Sequence, residues 1–177
     1  MQDPEFLNTD GEHQHDDTVS SCSSKFEGEM NFSKLQHYIQ SLIGSDKAQD
    51  LFRYKGVLAV KGMKKKFVFQ GVHMIFSGGF SADIEWKEGE PRDCRFVFIG
   101  RNLDKEEMIK GFEACKAEDQ LRFNVGDKVQ ANTGKWQDGT ILKQWDQGNP
   151  YRIELKDGTN VWGPIDQDDW VRAPRYQ

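Results

Sequence analysis

The stretch from Arg53 to Phe76, RYKGVLAVKGMKKKFVFQGVHMIF, most constrains the fold. Val57, Leu58, Ala59 and Val60 form a short apolar run. Gly62-Met63-Lys64-Lys65-Lys66 reads as an exposed basic connection, and Phe67–Phe76 then runs as a strand that is apolar on both alternating faces. Phe67, Phe69, His73 and Ile75 share one face, while Val68, Val72, Met74 and Phe76 share the other with Gln70. A strand apolar on both faces is normally central and covered above and below. The pair is therefore expected in the middle of a sheet with helices packed on it.

The flanking elements follow from local pattern. Thr18–Phe26 has strand length and reads as an edge strand carrying Cys22. Leu35, Tyr38, Ile39, Leu42 and Ile43 make the i, i+3, i+4, i+7, i+8 stripe of a helix over 33–43, with a Ser33/Gln36 capping box and Gly44 as its stop. His37 falls off that stripe, so it is expected at the surface. Ser77–Asp93 is glycine-rich and acidic and reads as a variable loop with a partial strand at Ala82–Trp86. Arg95–Ile99 is the next buried strand. A second helix follows, with Asp104 as cap, Glu107 completing a capping box and Leu103 stapling onto Met108. Met108, Ile109, Phe112 and Cys115 give its apolar face. The expected unit is an α+β sandwich of order β-α-β-β-β-α over about 18–117, with both helices on one face of a mainly antiparallel sheet.

After a charged linker at 116–120 the period changes. Short strands alternate with turns at VGD, NTGKWQDG, DQGNP and DG, and Asp157-Gly158 between IEL and NVW is a strong tight-hairpin signal. Five short strands over 121–173 predict a small all-β SH3-like or Tudor-like barrel. Trp136, Trp145, Tyr151 and Trp162 lie in it and are the candidate aromatics for holding a peptide or a modified lysine. In so small a barrel the competing role for each is core filling.

Composition limits the partners. Net charge is −5 and the pI about 5.4, and residues 121–177 hold as many Lys and Arg as Asp and Glu, which argues against nucleic acid. No apolar run is long enough to span a membrane and no signal peptide opens the chain. The three cysteines, Cys22, Cys94 and Cys115, are odd in number and widely spaced, which suggests a reducing, cytoplasmic setting. MQDPEF reads as a cloning-site translation, so residues 1–6 are set aside, and the rest of 1–17 is expected to be a disordered, histidine-containing linker. Within it, His13-Gln14-His15-Asp16-Asp17 places two imidazoles beside carboxylates, donors that suit zinc. His13, His15 and Asp16, with Cys22 nearby in sequence, form the candidate metal set. No GxxxxGK[ST], GxSxG or HExxH occurs and the four histidines form no spaced catalytic set, so catalysis is not expected.

KGVLAVKG, FVFQGVHMIF and FVFIGRNLDKEE together resemble the C-terminal domain of the CobW-like GTPases, nucleotide-driven metal chaperones of which one branch handles zinc. The resemblance covers about 12–117. It implies that a P-loop GTPase domain, with its GTP and magnesium site and its cysteine-containing metal motif, lies upstream in such proteins. It also implies that His13 and His15 sit at the end of a histidine-rich linker, shorter here than is usual. On that comparison the chain is the non-catalytic regulatory and client-recognition region of a zinc-type metallochaperone, partnered by a GTPase domain and a client metalloenzyme. The other reading, from the residues alone, is a protein-interaction module whose barrel binds a peptide or modified lysine.

Overall fold

A computed structural model describes residues 18–175. The first sheet unit comprises β1 (Val19–Glu27), α1 (Phe32–Ile43), β2 (Leu51–Leu58), β3 (Lys65–Val72), β4 (Ile75–Glu85), β5 (Asp93–Arg101) and α2 (Lys105–Glu113), with a 3₁₀ turn at Asp46–Asp50 before β2. Its five strands lie in the order β1-β5-β2-β3-β4, antiparallel throughout. β2 occupies the centre, as expected for the run around Val57.

Phe67–Phe76 is not one strand. The chain turns at His73-Met74, with His73 in the left-handed region at φ 52°, and β4 starts at Ile75. Phe76 therefore re-enters the face that Phe69 already occupies, 6.4 Å from it between ring centroids. β4 is 11 residues long: it runs through the stretch expected as a loop and takes in most of the partial strand expected at Ala82–Trp86, so the order is β-α-β-β-β-β-α. Its inward positions are Phe76, Gly78 and Phe80, too few large residues to show an alternating signal.

Both helices pack on one face. Phe112 of α2 stacks 4.3 Å from Phe96 and lies edge-on to Tyr38 of α1 at 5.0 Å, and the Tyr38 hydroxyl donates to the Met108 carbonyl at 3.2 Å. Leu35, Ile39, Tyr54, Phe69, Phe98 and Met108 join this core. Aromatic pairs of this kind contribute about 0.5–1.5 kcal/mol each beyond area burial. The opposite face of the sheet is not covered, contrary to the sandwiched position expected for β2 and β3. β2 turns Arg53, Lys55 and Val57 outward, and the first two keep that face in water.

α1 begins one residue earlier than the spacing suggests. Asn31, not Ser33, is its cap, the side chain accepting from Lys34 N at 3.1 Å, while Gly44 ends it as expected. α2 is capped by Asp104, which accepts from Glu107 N at 2.9 Å.

The second sheet contains β6 (Lys128–Asn132), β7 (Trp136–Asp146), β8 (Asn149–Leu155), β9 (Asn160–Gly163) and β10 (Val171–Arg172), in the order β10-β6-β7-β8-β9. Five strands were expected, and Asp157-Gly158 does join β8 to β9. Closure into a barrel is not shown: the two end strands, β10 and β9, do not pair with each other among the described residues. Val129, Ile141, Tyr151, Ile153 and Val171 form its core.

The two sheets meet at a corner. Met30 bridges Val60 and Lys116, and Phe32 N donates to Gly148 O at 3.4 Å. The turn between β7 and β8 lodges there: a Cβ on Gly62 would lie 2.3 Å from Trp145 O, and one on Gly148 would lie 2.9 Å from Phe32 Cβ. Gly62 has φ +81° and Gly148 +83°, so both space and conformation require glycine.

Candidate functional site

Of the candidate metal set, His13, His15 and Asp16 lie outside the described residues. Cys22 is described, and it does not present a ligand. It sits on the inward side of β1 beneath α2, fully buried, and its sulfur lies 3.9 Å from the Lys105 carbonyl. Burial pushes its pKa up, with Lys105 opposing in part, so the thiol stays protonated where a zinc ligand must be a thiolate. Cys94 and Cys115 are likewise buried, their pKa values pushed up by desolvation to about 11 and about 12. Among the described residues no group of three or more His, Cys, Asp or Glu side chains could hold a metal ion. The described residues therefore do not fit zinc, and no binding step is assigned to them.

The four aromatics chosen from the second sheet do not form one cage. Tyr151 has no exposed surface; its ring fills the core at 5.9 Å from Phe123, and its hydroxyl accepts from Phe123 N at 3.1 Å. It belongs to the core-filling role. Trp136 and Trp145 sit nine residues apart on β7, about 30 Å along an extended strand. A cage needs rings within about 6 Å of one cation.

Each of the three tryptophans is instead met by a cation of the chain itself. The Arg172 guanidinium lies 3.6 Å from the Trp136 ring centroid, Arg152 lies 4.8 Å from Trp162, and Lys61 lies 4.9 Å from Trp145. Lys61 belongs to the first sheet unit, so Trp145 serves the corner between the sheets. Trp162 remains 45% exposed, and its indole nitrogen points to Asp146 at 3.5 Å.

His73 is exposed in the β3–β4 turn, its ring 5.7 Å from Phe52. His37 is exposed as its off-stripe position suggests, with Nδ1 2.7 Å from Ser33 O.

The fold gives the domain its kin. Residues 19–116 match the family described as the cobalamin synthesis protein cobW C-terminal domain, more than half of the 177-residue chain. The chain belongs to this family.

A relative of the CobW C-terminal domain is the zinc chaperone YjiA of Escherichia coli (strain K12), 30% identical over 98 residues, which are 55% of this chain and 30% of YjiA. The Zn(II)-bound structure of the E. coli YjiA GTPase superposes with TM-score 0.52 and 28% identity over 56% of this chain. A Zn(II)-bound triple mutant of the same GTPase gives 0.51. In each case the chain spans about a third of the relative's length, 30% of it. These similarities cover the first sheet unit.

The sequence reading missed the open face of the first sheet. Its signal was present: on β2 the outward positions Arg53 and Lys55 alternate with inward Tyr54 and Gly56, which marks one face as wet.

Proposed function

We propose that this chain is the non-catalytic regulatory and client-recognition region of a CobW-like, GTP-dependent metal chaperone whose cargo is zinc. The observation that carries the reading is the CobW C-terminal domain at 19–116, shared with a zinc chaperone. In this reading a GTPase domain supplies nucleotide turnover and the metal motif, and this chain couples nucleotide state to a client metalloenzyme. The short His13/His15 segment adds a weak zinc contact at most, since two imidazoles and a carboxylate on a short stretch give few strong donors. No part of the role needs a nucleic acid or a membrane, and the cytoplasm suits it.

Proteins retained by the immobilised chain, identified by mass spectrometry, test this. The expected result is retention of a P-loop GTPase and of a zinc-dependent enzyme, both lost when the first sheet unit is disrupted by Phe112→Ala. If the retained proteins depend instead on Trp162 and carry methylated lysines, the chain is an interaction module and the chaperone reading falls.

A further inference from the structure

The uncovered face of the first sheet carries a pattern that plain solvation does not explain. Cross-strand pairing arranges its side chains in rows. One row runs Lys25, Arg95, Val57 and Val68; the next runs Ser23, Val97, Lys55 and Gln70; a third holds Ser21, Ile99 and Arg53, with Val72 opposite Ile75 farther along. Val57, Val72, Ile75 and Ile99 are exposed, Ile75 to 78%. An antiparallel sheet open to water usually alternates apolar inside with polar outside. Here aliphatic side chains continue onto the wet side, and shallow depressions of about 400 Å³ and about 620 Å³ lie on either side of Lys55 and Gln70.

The charge on this face opposes that of the molecule. The chain carries −5 overall, yet Lys25, Arg53, Lys55 and Arg95 all project here. Carboxylates answer them only at the Lys25 and Arg95 end: Asp93 is held by Arg95 at 2.9 Å and Lys25 at 3.3 Å, and Glu27 and Glu90 lie beside them. Among the described residues Arg53 and Lys55 have no ion-pair partner. They stand two apart on the central strand, flanked by Ile99, Val97 and Gln70 rather than by acids. Like charges so placed repel, and nothing in the described core requires them.

We propose that this face is a docking surface for an acidic amphipathic helical segment of a partner protein. The segment's apolar stripe would lie on Val57, Val97 and Ile99, and its flanking carboxylates would meet Arg53 and Lys55. Cationic side chains around an aliphatic floor recognise that chemistry, with the charges steering encounter and fixing register. The proposal rests on the client-recognition reading and names the surface and the class of segment through which a client is held.

The test is an amide-shift titration with a synthetic helix bearing leucines at i, i+3, i+4 and i+7 and glutamates on its flanks, beside a copy with glutamine for every glutamate. The expected result is binding by the glutamate peptide with shifts at Lys55, Val57, Val97 and Ile99. Affinity should fall roughly tenfold or more in the glutamine peptide, and again in Arg53→Glu/Lys55→Glu, since paired charges are lost. A Lys128→Glu/Lys156→Glu variant on the second sheet should bind as the unsubstituted chain does. Both variants change exposed side chains, and an unchanged melting temperature confirms that they fold.

Shifts elsewhere, equal binding of the two peptides, or an indifferent Arg53→Glu/Lys55→Glu variant would overturn the proposal. So would tighter binding at this face of a thymidine oligonucleotide or of phosphatidylserine vesicles, titrated in parallel, or concentration-dependent dimerisation through it. The titration needs neither zinc nor a GTPase, so its failure would leave the chaperone reading standing.

Discussion

The side-chain amide of Asn31 donates to the carbonyl of Pro164 at 3.3 Å while its oxygen caps α1. One fully buried residue thus begins a helix of the first unit and holds the second sheet. Around it Lys61 Nζ reaches Glu118 O at 3.0 Å, and Lys34 pairs with Glu118 at 2.5 Å. The two sheets are joined by specific contacts and not only by the residues between them.

Substituting Gly62 should undo that joint. Alanine there meets a backbone oxygen at 2.3 Å and a φ of +81°, a conformation that costs a non-glycine residue about 1–3 kcal/mol. Gly62→Ala is expected to split one thermal transition into two, read by calorimetry, with little change at the buried aromatics of either core. A single unshifted transition would show that the corner contributes nothing to cooperativity.

Zinc titration should separate the linker from the folded unit. Weak binding that disappears in His13→Ala/His15→Ala is expected, with no amide shift at Cys22, because that thiol is sealed beneath α2. Retained binding in the variant, or a shift at Cys22, would place a metal contact within the described fold.

The three thiols should be silent in the native chain. With burial raising Cys94 to about 11 and Cys115 to about 12, alkylation of these two at mildly alkaline pH should lag a free thiol by at least about a hundredfold, and Cys22, raised as well, should also react more slowly than a free thiol. Denaturant should release all three. Prompt labelling without denaturant would contradict the burial described.

Acid should weaken the fold through Asp93. The Arg95 guanidinium, helped by Lys25, holds this carboxyl below its ordinary value of 3.8. A carboxyl with a lowered folded-state pKa contributes stability that is complete above the unfolded value and lost as pH falls through the folded one. Melting temperature should therefore decline below about pH 3.8, and Asp93→Asn should flatten that decline while lowering stability at neutral pH. Parallel curves for the two proteins would remove Asp93 from the account.

Much of the first unit could be read from periodicity and caps. Asp104, Gly44 and the α2 stripe were visible because helix ends and amphipathic faces are local features. β4 as a whole was not. Its serines and glycines face water or the core edge, and its strand character comes from pairing with β3, a contact far less evident in sequence than a helical stripe. The Phe67–Phe76 run misled for a related reason: the two-residue turn at His73-Met74 uses no glycine, and it resets which aromatic faces inward. Among the candidate ligands, Cys22 and Tyr151 looked chemical by type and proved structural by burial. The two-residue spacing of Arg53 and Lys55 already places them together on one side of an extended strand.

The lodged β7–β8 turn also governs where the chain can be divided. A cut after residue 117 looks natural from composition, since a charged stretch follows. Yet Phe32 and Val60 press on Gly148, and the Asn31 amide has its acceptor on Pro164. A first unit excised at that point would carry a freshly bared apolar notch with an orphaned amide at its base. Self-association of such a fragment would report the scar of the cut rather than a property of the intact protein.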